Sequence, residues 1–522
     1  MSRPSTSALA RSSGYAGAAA IWQVVSRIVL TPAILACLGL DGYGTWTLLF
    51  TLAGSADVAT ASFGSAYTRL TAELQARRDF TTLTKLVASG VLVVTALGAI
   101  VTIALWLFGS PLLAILGIQA ALLPEAHDAL MLIAAGTLAR MSLGCAQDVL
   151  AGLQRTDLRY KASLSGSALY LMLALGTLEA GWGLRGLASA FLAGELMSIG
   201  IAWVWCRRLC PGYALRPLSA SRDAAYQILQ IGGRFQLLQV ANRFSNEGSK
   251  LLISALMGPA TLAVFELAFK LVRLAEAGPR ALIEPLMPAF ATMHAVEEKP
   301  WILETLRSGT RILMAASLTS FGFMAIFPEA CLRLWTGQSL PLAAWTFRVL
   351  AIGFVAKQLT GVATASLRGR GNVSLELSAS LLAGTLRLAF GLALYLVWDY
   401  HGFVLGIPLA LVLGTLWLIV PVARDSGFSL ASLLTSSLFR PFVALLPTLA
   451  GIHLLATLPF LDPDLTDSRW ALLIHLGSWG VVFGLCATIS TWFLVLTRGE
   501  RSKLLKLTAY RFSPEPGPAT NA

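Results

Sequence analysis

The sequence predicts an all-α polytopic membrane protein with about 14 transmembrane helices, two pseudo-symmetric six-helix bundles followed by two extra C-terminal helices. Three observations carry this: an apolar excess beyond what a soluble core can hide, apolar runs of spanning length, and basic residues confined to alternate loops. Of 522 residues, 56% are hydrophobic and 13% charged, with a mean hydropathy of +0.71. A solvent that is largely lipid accounts for such a chain.

Runs of about 20 apolar residues bounded by charge, Gly or Pro begin near residues 14, 44, 84, 129, 160, 185, 225, 260, 308, 342, 373, 402, 440 and 471. The first, from Gly14 to Leu38, contains Gln23 and Arg27, so it reads as a spanning helix and not as a cleavable signal. With the amino terminus in the cytoplasm, alternate loops collect clusters such as Arg69, Arg77, Arg78 and Lys85, then Arg155, Arg159 and Lys161, then Arg207, Arg208, Arg216 and Arg222. The opposite loops hold only Arg185, Arg333 and Arg469 beside acidic residues such as Asp41, Glu125, Asp128, Asp399 and Asp462. Lysine and arginine in short loops resist translocation, so both termini are expected in the cytoplasm of an inner-membrane protein. The net charge of +12 thus reports topology, and nucleic acid is excluded as a partner because the basic residues form no single patch.

Two weak correspondences suggest an internal repeat. The segment CLGLDGYGTWTLLF from Cys37 matches LMGPATLAVFELAFK from Leu256, each a small turn opening the second helix of a half. LQRTDLRYKASL from Leu153 matches LRGRGNVSLELS from Leu367, each following a fourth helix. The expected organisation is a bundle over residues 1–206, a second over 223–422, two extra helices over 440–497 and a basic, disordered cytoplasmic tail over 498–522.

Charge at bilayer depth costs at least about 2.5 to 3.5 kcal/mol per residue on insertion scales, so helices that carry several charges must face water or partners. On candidate helix seven, Gln236, Gln239, Arg243, Asn246, Glu247 and Lys250 recur at spacings of three and four, which places them on one face. On helix eight, Glu266, Lys270, Arg273, Glu276, Arg280 and Glu284 do the same. Helix one adds Gln23 and Arg27, helix two Asp57, helix four Arg140 and Asp148, and helix ten Arg348 and Lys357. Mutual neutralisation, Glu266 with Lys250 and Glu247 with Lys270, is the structural alternative. Cations exceed anions at depth, which suits a phosphate or pyrophosphate. Isolated arginines such as Arg69, Arg348 and Arg387 read as interfacial anchors.

No catalytic constellation emerges. The five histidines, His127, His294, His401, His453 and His475, form no HExxH pattern, and Asp462, Asp464 and Asp467 read as an acidic outer loop, so neither an enzyme nor a metal or other cofactor is expected. The six cysteines show no CxxC pair and read as unpaired thiols.

The segments LGLDGYGTWTL over Leu38 to Leu48, FGSAYTRLTAELQARRD, GRFQLLQVANRFSNEGSKLLISALMG from Gly233 and FELAFKLVRLAEAGPRALIEPLMPAF resemble polysaccharide flippases of the O-antigen and teichoic-acid type, in the multidrug, oligosaccharidyl-lipid and polysaccharide exporter superfamily. The resemblance implies two bundles in a V, a cationic central cavity, and rocking between inward-open and outward-open states. The implied cargo is a polyprenyl-pyrophosphate oligosaccharide for polysaccharide or lipopolysaccharide biosynthesis. Membrane lipids and a polysaccharide polymerase or export machinery are the implied partners. Substrate-binding roles fall on Arg27, Arg243, Lys250, Lys270, Arg273 and Arg280, and coupling to a proton or sodium ion on Asp57, Glu247 or Glu266. Rival expectations are a peptidoglycan-precursor flippase, a multidrug or cation antiporter of the same superfamily, and a membrane polymerase or glycosyltransferase. The last would need a long outer loop with paired carboxylates, which this chain lacks.

Overall fold

The computed structural model describes residues 6–58, 63–77, 79–209, 221, 226, 243, 247–427, 429–456 and 468–502. Helix accounts for 91% of it, and no strand occurs among the described residues. The chain divides into two compact units, Met1–Leu267 and Ala268–Ala522.

In the first unit, α1 (Thr6–Val58) is two helices joined at Gly39, whose φ of 67° breaks the spiral. This left-handed conformation is one that glycine adopts without a Cβ penalty. Next come a short α2 (Phe63–Ala76), α3 (Phe80–Ile115), α4 (Leu123–Leu143), a short α5 (Cys145–Gly152), α6 (Thr156–Glu179) and α7 (Gly183–Leu209). Asp79 caps α3 by accepting from the Thr82 amide at 3.0 Å. The buried core joins Leu83 and Val87 of α3 to Cys145 and Val149 of α5, Ala162 of α6 and Cys206 of α7. Lipid supplies no hydrophobic drive between helices, so close backbone packing has to hold them together. A Cβ at Gly166 of α6 would lie 2.5 Å from the Gly194 carbonyl of α7, which only two glycines permit.

After helical residues 247–257, Gly258 turns with φ of 84° into α8 (Pro259–Ile283). A short α9 (Leu286–Ala295), α10 (Lys299–Ile326), a short α11 (Pro328–Thr336), α12 (Pro341–Gln358), a short α13 (Gly361–Gly369) and a long α14 (Ser374–Asp425) follow. The α14 helix breaks at Trp398 and Asp399. Finally α15 (Arg440–Ala456) and α16 (Arg469–Ser490) pack on α10 through Leu318, Leu445, Ile452, Leu472 and Phe483. A second core of this unit gathers Phe290, Ile302, Leu306, Val362 and Leu418.

The repeat is visible in the backbone. Glycines 39 and 258, both at positive φ, open the matched helices. At the second motif, Gln154 and Arg155 donate to the Ala151 and Leu150 carbonyls, and Gly371 and Asn372 donate to Arg368 and Leu367 in the same pattern. This paired closure of a helix end aligns Gln154 with Gly371. The expected pairing of Leu153 with Leu367 is therefore three residues out of register, because the turn residue and not the leucine fixes the alignment.

Among the described residues, eight helices are long and apolar enough to cross a membrane, or nine when α12 and α13, bent by 42°, count as one span. The chain is thus a multi-pass membrane protein by composition. This count is below the 14 expected for two physical reasons. Two pairs of candidates run as the single helices α1 and α14, and helices such as α8, with Glu266, Lys270, Arg273, Glu276 and Arg280, are too charged to pass as lipid-facing spans. The candidate near 225 lies largely outside the described residues, as do the acidic loop 462–467 and the tail beyond 502. The cysteines Cys37, Cys145, Cys206, Cys331 and Cys486 are free thiols.

Candidate functional site: buried charge on the spanning helices

The first unit contains a compact ionic cluster built on the 247–257 helix and the start of α8. Lys250 lies one turn after Glu247, so their side chains share a face, and its Nζ is 3.0 Å from Glu247 Oε2. The same ammonium is 2.9 Å from Glu266 Oε2. Only 9% of the Lys250 side chain is exposed, with Glu247 at 24% and Glu266 at 12%. One lysine between two carboxylates leaves the triad one negative charge in excess. Burial of these charges is tolerable because each has an opposite partner, and removing one partner would strand the others.

The second leg of α1 completes this cluster. Thr51 donates to Glu247 Oε2 at 3.4 Å and to the Thr47 carbonyl at 3.0 Å, a shared donation. The fully buried Tyr43 lies within the electrostatic reach of Glu266 and Lys250. Arg243, four positions before Glu247, donates from Nη2 to the Gly54 carbonyl at 2.7 Å. A Cβ at Gly54 would sit 2.7 Å from the same nitrogen, so any larger residue there would shift the Arg243 guanidinium. Arg243 is thereby tied to the leg of α1 that carries Thr51.

Other expected residues are distributed differently. Arg27 and Asp57 lie on α1, but their side chains are outside the described residues, as are Gln23, Gln236, Gln239 and Asn246. Arg140 is 3.5 Å from Glu195 and Asp148 3.5 Å from Arg159, so both have local ion-pair partners. In the second unit, Lys270 Nζ is 5.9 Å from the Trp335 ring centre, and the Arg273 guanidinium 5.1 Å from that of Phe269. These are cation–π distances. Arg280 is 3.9 Å from Glu284, both largely exposed. Glu276 accepts from Gln358 Nε2 at 3.3 Å.

Sequence reasoning missed Tyr43, Thr51 and Gln358, whose roles depend on which helix packs opposite. It also set Arg387 aside as an interfacial anchor. The structure corrects this: Arg387 lies in the middle of the first leg of α14 and is 4% exposed. Helical periodicity assigns a face, but it does not reveal what that face meets. Arg348 does behave as an isolated cation, donating from Nε to the Ala325 carbonyl at 3.1 Å.

Among the described residues, the architecture is one of membrane-spanning helices that carry buried ion pairs. Residues 20–175 match the MatE family. No curated protein sequence matches the chain. Among solved structures, the lipid II flippase MurJ in an inward closed conformation superposes with a TM-score of 0.70 at 12% identity, over 92% of this chain and 99% of that one. An inward-facing multidrug resistance MATE transporter of the MOP superfamily gives a TM-score of 0.66 at 15% identity, over 80% of this chain and 99% of that one. A MOP superfamily transporter from Pyrococcus furiosus gives 0.58 at 16% identity, over 80% and 95%. At these identities the likeness is one of fold.

Proposed function

We propose that this protein is a flippase that translocates a polyprenyl-pyrophosphate-linked oligosaccharide across the inner membrane by alternating access, in polysaccharide biosynthesis or export. The observation that carries this reading is the buried Glu247–Lys250–Glu266 triad beside Arg243, because charge at this depth is retained where a charged ligand or ion passes. The fold likeness to a lipid flippase over 92% of the chain supports it.

Arg27, Arg243, Lys250, Lys270, Arg273 and Arg280 are the cations that would screen the phosphates. In the structure Lys250 is engaged by its two carboxylates. Uptake of a proton by Glu247 or Glu266, or of sodium by those residues or Asp57, would release ammonium donors to an incoming phosphate and so couple ion to cargo. Fold does not fix cargo. A peptidoglycan precursor is the alternative glycolipid, given the lipid II flippase likeness, and a drug or cation antiporter is the alternative given the MATE likeness.

The test is flipping of a fluorescent polyprenyl-pyrophosphate oligosaccharide by proteoliposomes holding wild type or the double variant Arg243→Gln, Lys270→Gln, with folding checked by thermal melting. Flipping by wild type and its loss in the folded variant are expected. Inactive wild type that instead takes up small amphipathic cations would overturn the flippase reading. Flipping insensitive to both protonophore and sodium removal would defeat the coupling role of the carboxylates.

A further inference from the structure

The end of α16 is tied back onto α10 by a contact that neither the triad nor the repeat accounts for. After Ser490 the chain makes one wide turn, Thr491–Val495, in which the Leu496 amide donates to the Thr491 carbonyl, five residues back, at 3.0 Å. Leu496 is extended, with ψ of 138°, and residues 498–502 are helical again. Thr497 and Glu500 open this last piece as a reciprocal cap. The Thr497 amide donates to Glu500 Oε2 at 2.7 Å, and the Glu500 amide donates to Thr497 Oγ1 at 3.4 Å. The second carboxylate oxygen, Oε1, accepts from Arg311 Nη2 of α10, 189 residues away. Both partners are enclosed, the Arg311 side chain at 7% exposure and that of Glu500 at 15%.

The surroundings bind the same junction. Arg501 folds back and donates from Nη2 to the Phe493 carbonyl at 2.5 Å and the Leu496 carbonyl at 3.1 Å. Arg440, the first residue of α15, donates from Nε to the Leu494 carbonyl at 2.9 Å. A second wide turn, Thr435–Phe439, leads into α15, with the Arg440 amide donating to the Thr435 carbonyl. Both wide turns touch α10, and Ala315, one helical turn after Arg311, packs with Ala444 of α15 and Val495. A single wide turn in a helix is a frequent mark of a functional site.

The means of attachment changes at Leu496. Val495 and Leu496 are buried, whereas residues 497–502 contain no apolar side chain, and Thr497, Arg498, Gly499 and Ser502 are exposed. A segment held by hydrogen bonds and one ion pair opens more readily than a packed helix. Its opening leaves the enclosed Arg311 charge without that carboxylate, which sets a cost on the open form.

We propose that residues 497–502 are a detachable strap, locked by Arg311 and Glu500, that holds the start of α15 and the end of α16 against α10. Closed, the strap makes these three helices one body at this junction. Open, it frees the two wide turns to flex. The strap goes beyond the flippase reading and does not rest on it, since it involves no cargo.

The experiment is hydrogen exchange of the full chain in nanodiscs. Glu500→Gln is the informative variant, because glutamine also serves in the reciprocal cap but lacks the charge that meets Arg311. Exchange over 435–439 and 491–496 should rise about tenfold or more, the scale of one lost charge-assisted contact, with the first unit unchanged. Only one guanidinium nitrogen makes the contact, so Arg311→Lys should stay close to wild type. Because Glu500→Gln strands an enclosed cation and can fold poorly, the double variant Arg311→Met, Glu500→Gln removes both charges and should show the same local rise. Wild-type protection of both wide turns in either variant, once folded, overturns the strap. A rise spread evenly over both units, as general loss of stability would give, overturns it too.

Discussion

The two units solve the problem of charge at depth in opposite ways. In the first, Lys250 is clamped by Glu247 and Glu266, so the charges are largely compensated within the protein. In the second, Arg273 and Lys357 lie beside the Phe269 and Phe354 rings at 5.1 and 5.4 Å, and Glu276 accepts from the neutral amide of Gln358. The compensated cluster is stable as it stands and changes state when a proton or ion alters one member. The second sets its cations against aromatic faces. A fold built from repeats thus carries two unlike electrostatic devices, and the repeat explains the scaffold without predicting the charges.

The largest expected effect breaks the first half of this contrast. Lys250→Met leaves two buried carboxylates adjacent, and loss of one partner from a buried ionic cluster costs about 3 to 5 kcal/mol. Thermal melting in detergent should show a large drop, with poor membrane yield. Adding Glu266→Gln removes one stranded charge and should recover a substantial part of the loss. Equal instability of the single and double variants would show that Lys250 acts through packing and not through its carboxylates.

A smaller effect sharpens the contrast at two corresponding corners, where a short helix meets a long one. In the first unit, Asp79 accepts from the Thr82 hydroxyl and amide and the Thr81 hydroxyl, which hold its pKa at about 2. In the second, His294 Nε2 accepts from Arg370 Nε at 2.9 Å, lies 3.1 Å from Ser366 Oγ and stacks on Phe290. Burial, and then the Arg370 charge, lower the His294 pKa. A histidine whose folded pKa lies below its unfolded value, about 6.5, contributes stability above that value and loses it as pH falls. At pH 5 the α9–α13 corner should therefore exchange amide hydrogens faster than at pH 7.5. His294→Gln should abolish that difference, and a difference that persists in the variant would remove His294 as its cause.

Much of the scaffold is legible in the sequence because it rests on local rules. Apolar runs mark the helices, and Gly39 and Gly258 mark matched turns through conformations that glycine supplies. The pairing of Lys250 with Glu266 could be anticipated from complementary stripes on consecutive helices. What escapes the sequence is tertiary. Tyr43 and Thr51 join the triad because a leg of α1 packs there, and Arg387 changes from an anchor to a buried group because its side chain is enclosed at 4% exposure. The three-residue slip in the second repeat has the same origin, since hydrogen bonds at a helix end, not apolar similarity, set the register.

The smallest effect belongs to Asp79 and gives the two corners different acid limits. Its pKa is depressed, so the cap's contribution is present above the unfolded value, about 3.9, and disappears as pH falls toward about 2. Between pH 7.5 and 5 the start of α3 should keep its hydrogen-exchange protection while the α9–α13 corner loses some. Asp79→Ala should raise exchange over the first turn of α3 at both pH values, because the Thr82 amide loses its acceptor. Asn, which retains an acceptor oxygen without the charge, should restore most of the protection. If Asn were no better than Ala, the carboxylate's charge near the helix start would matter more than its hydrogen bonds, and this corner too would depend on compensation of charge.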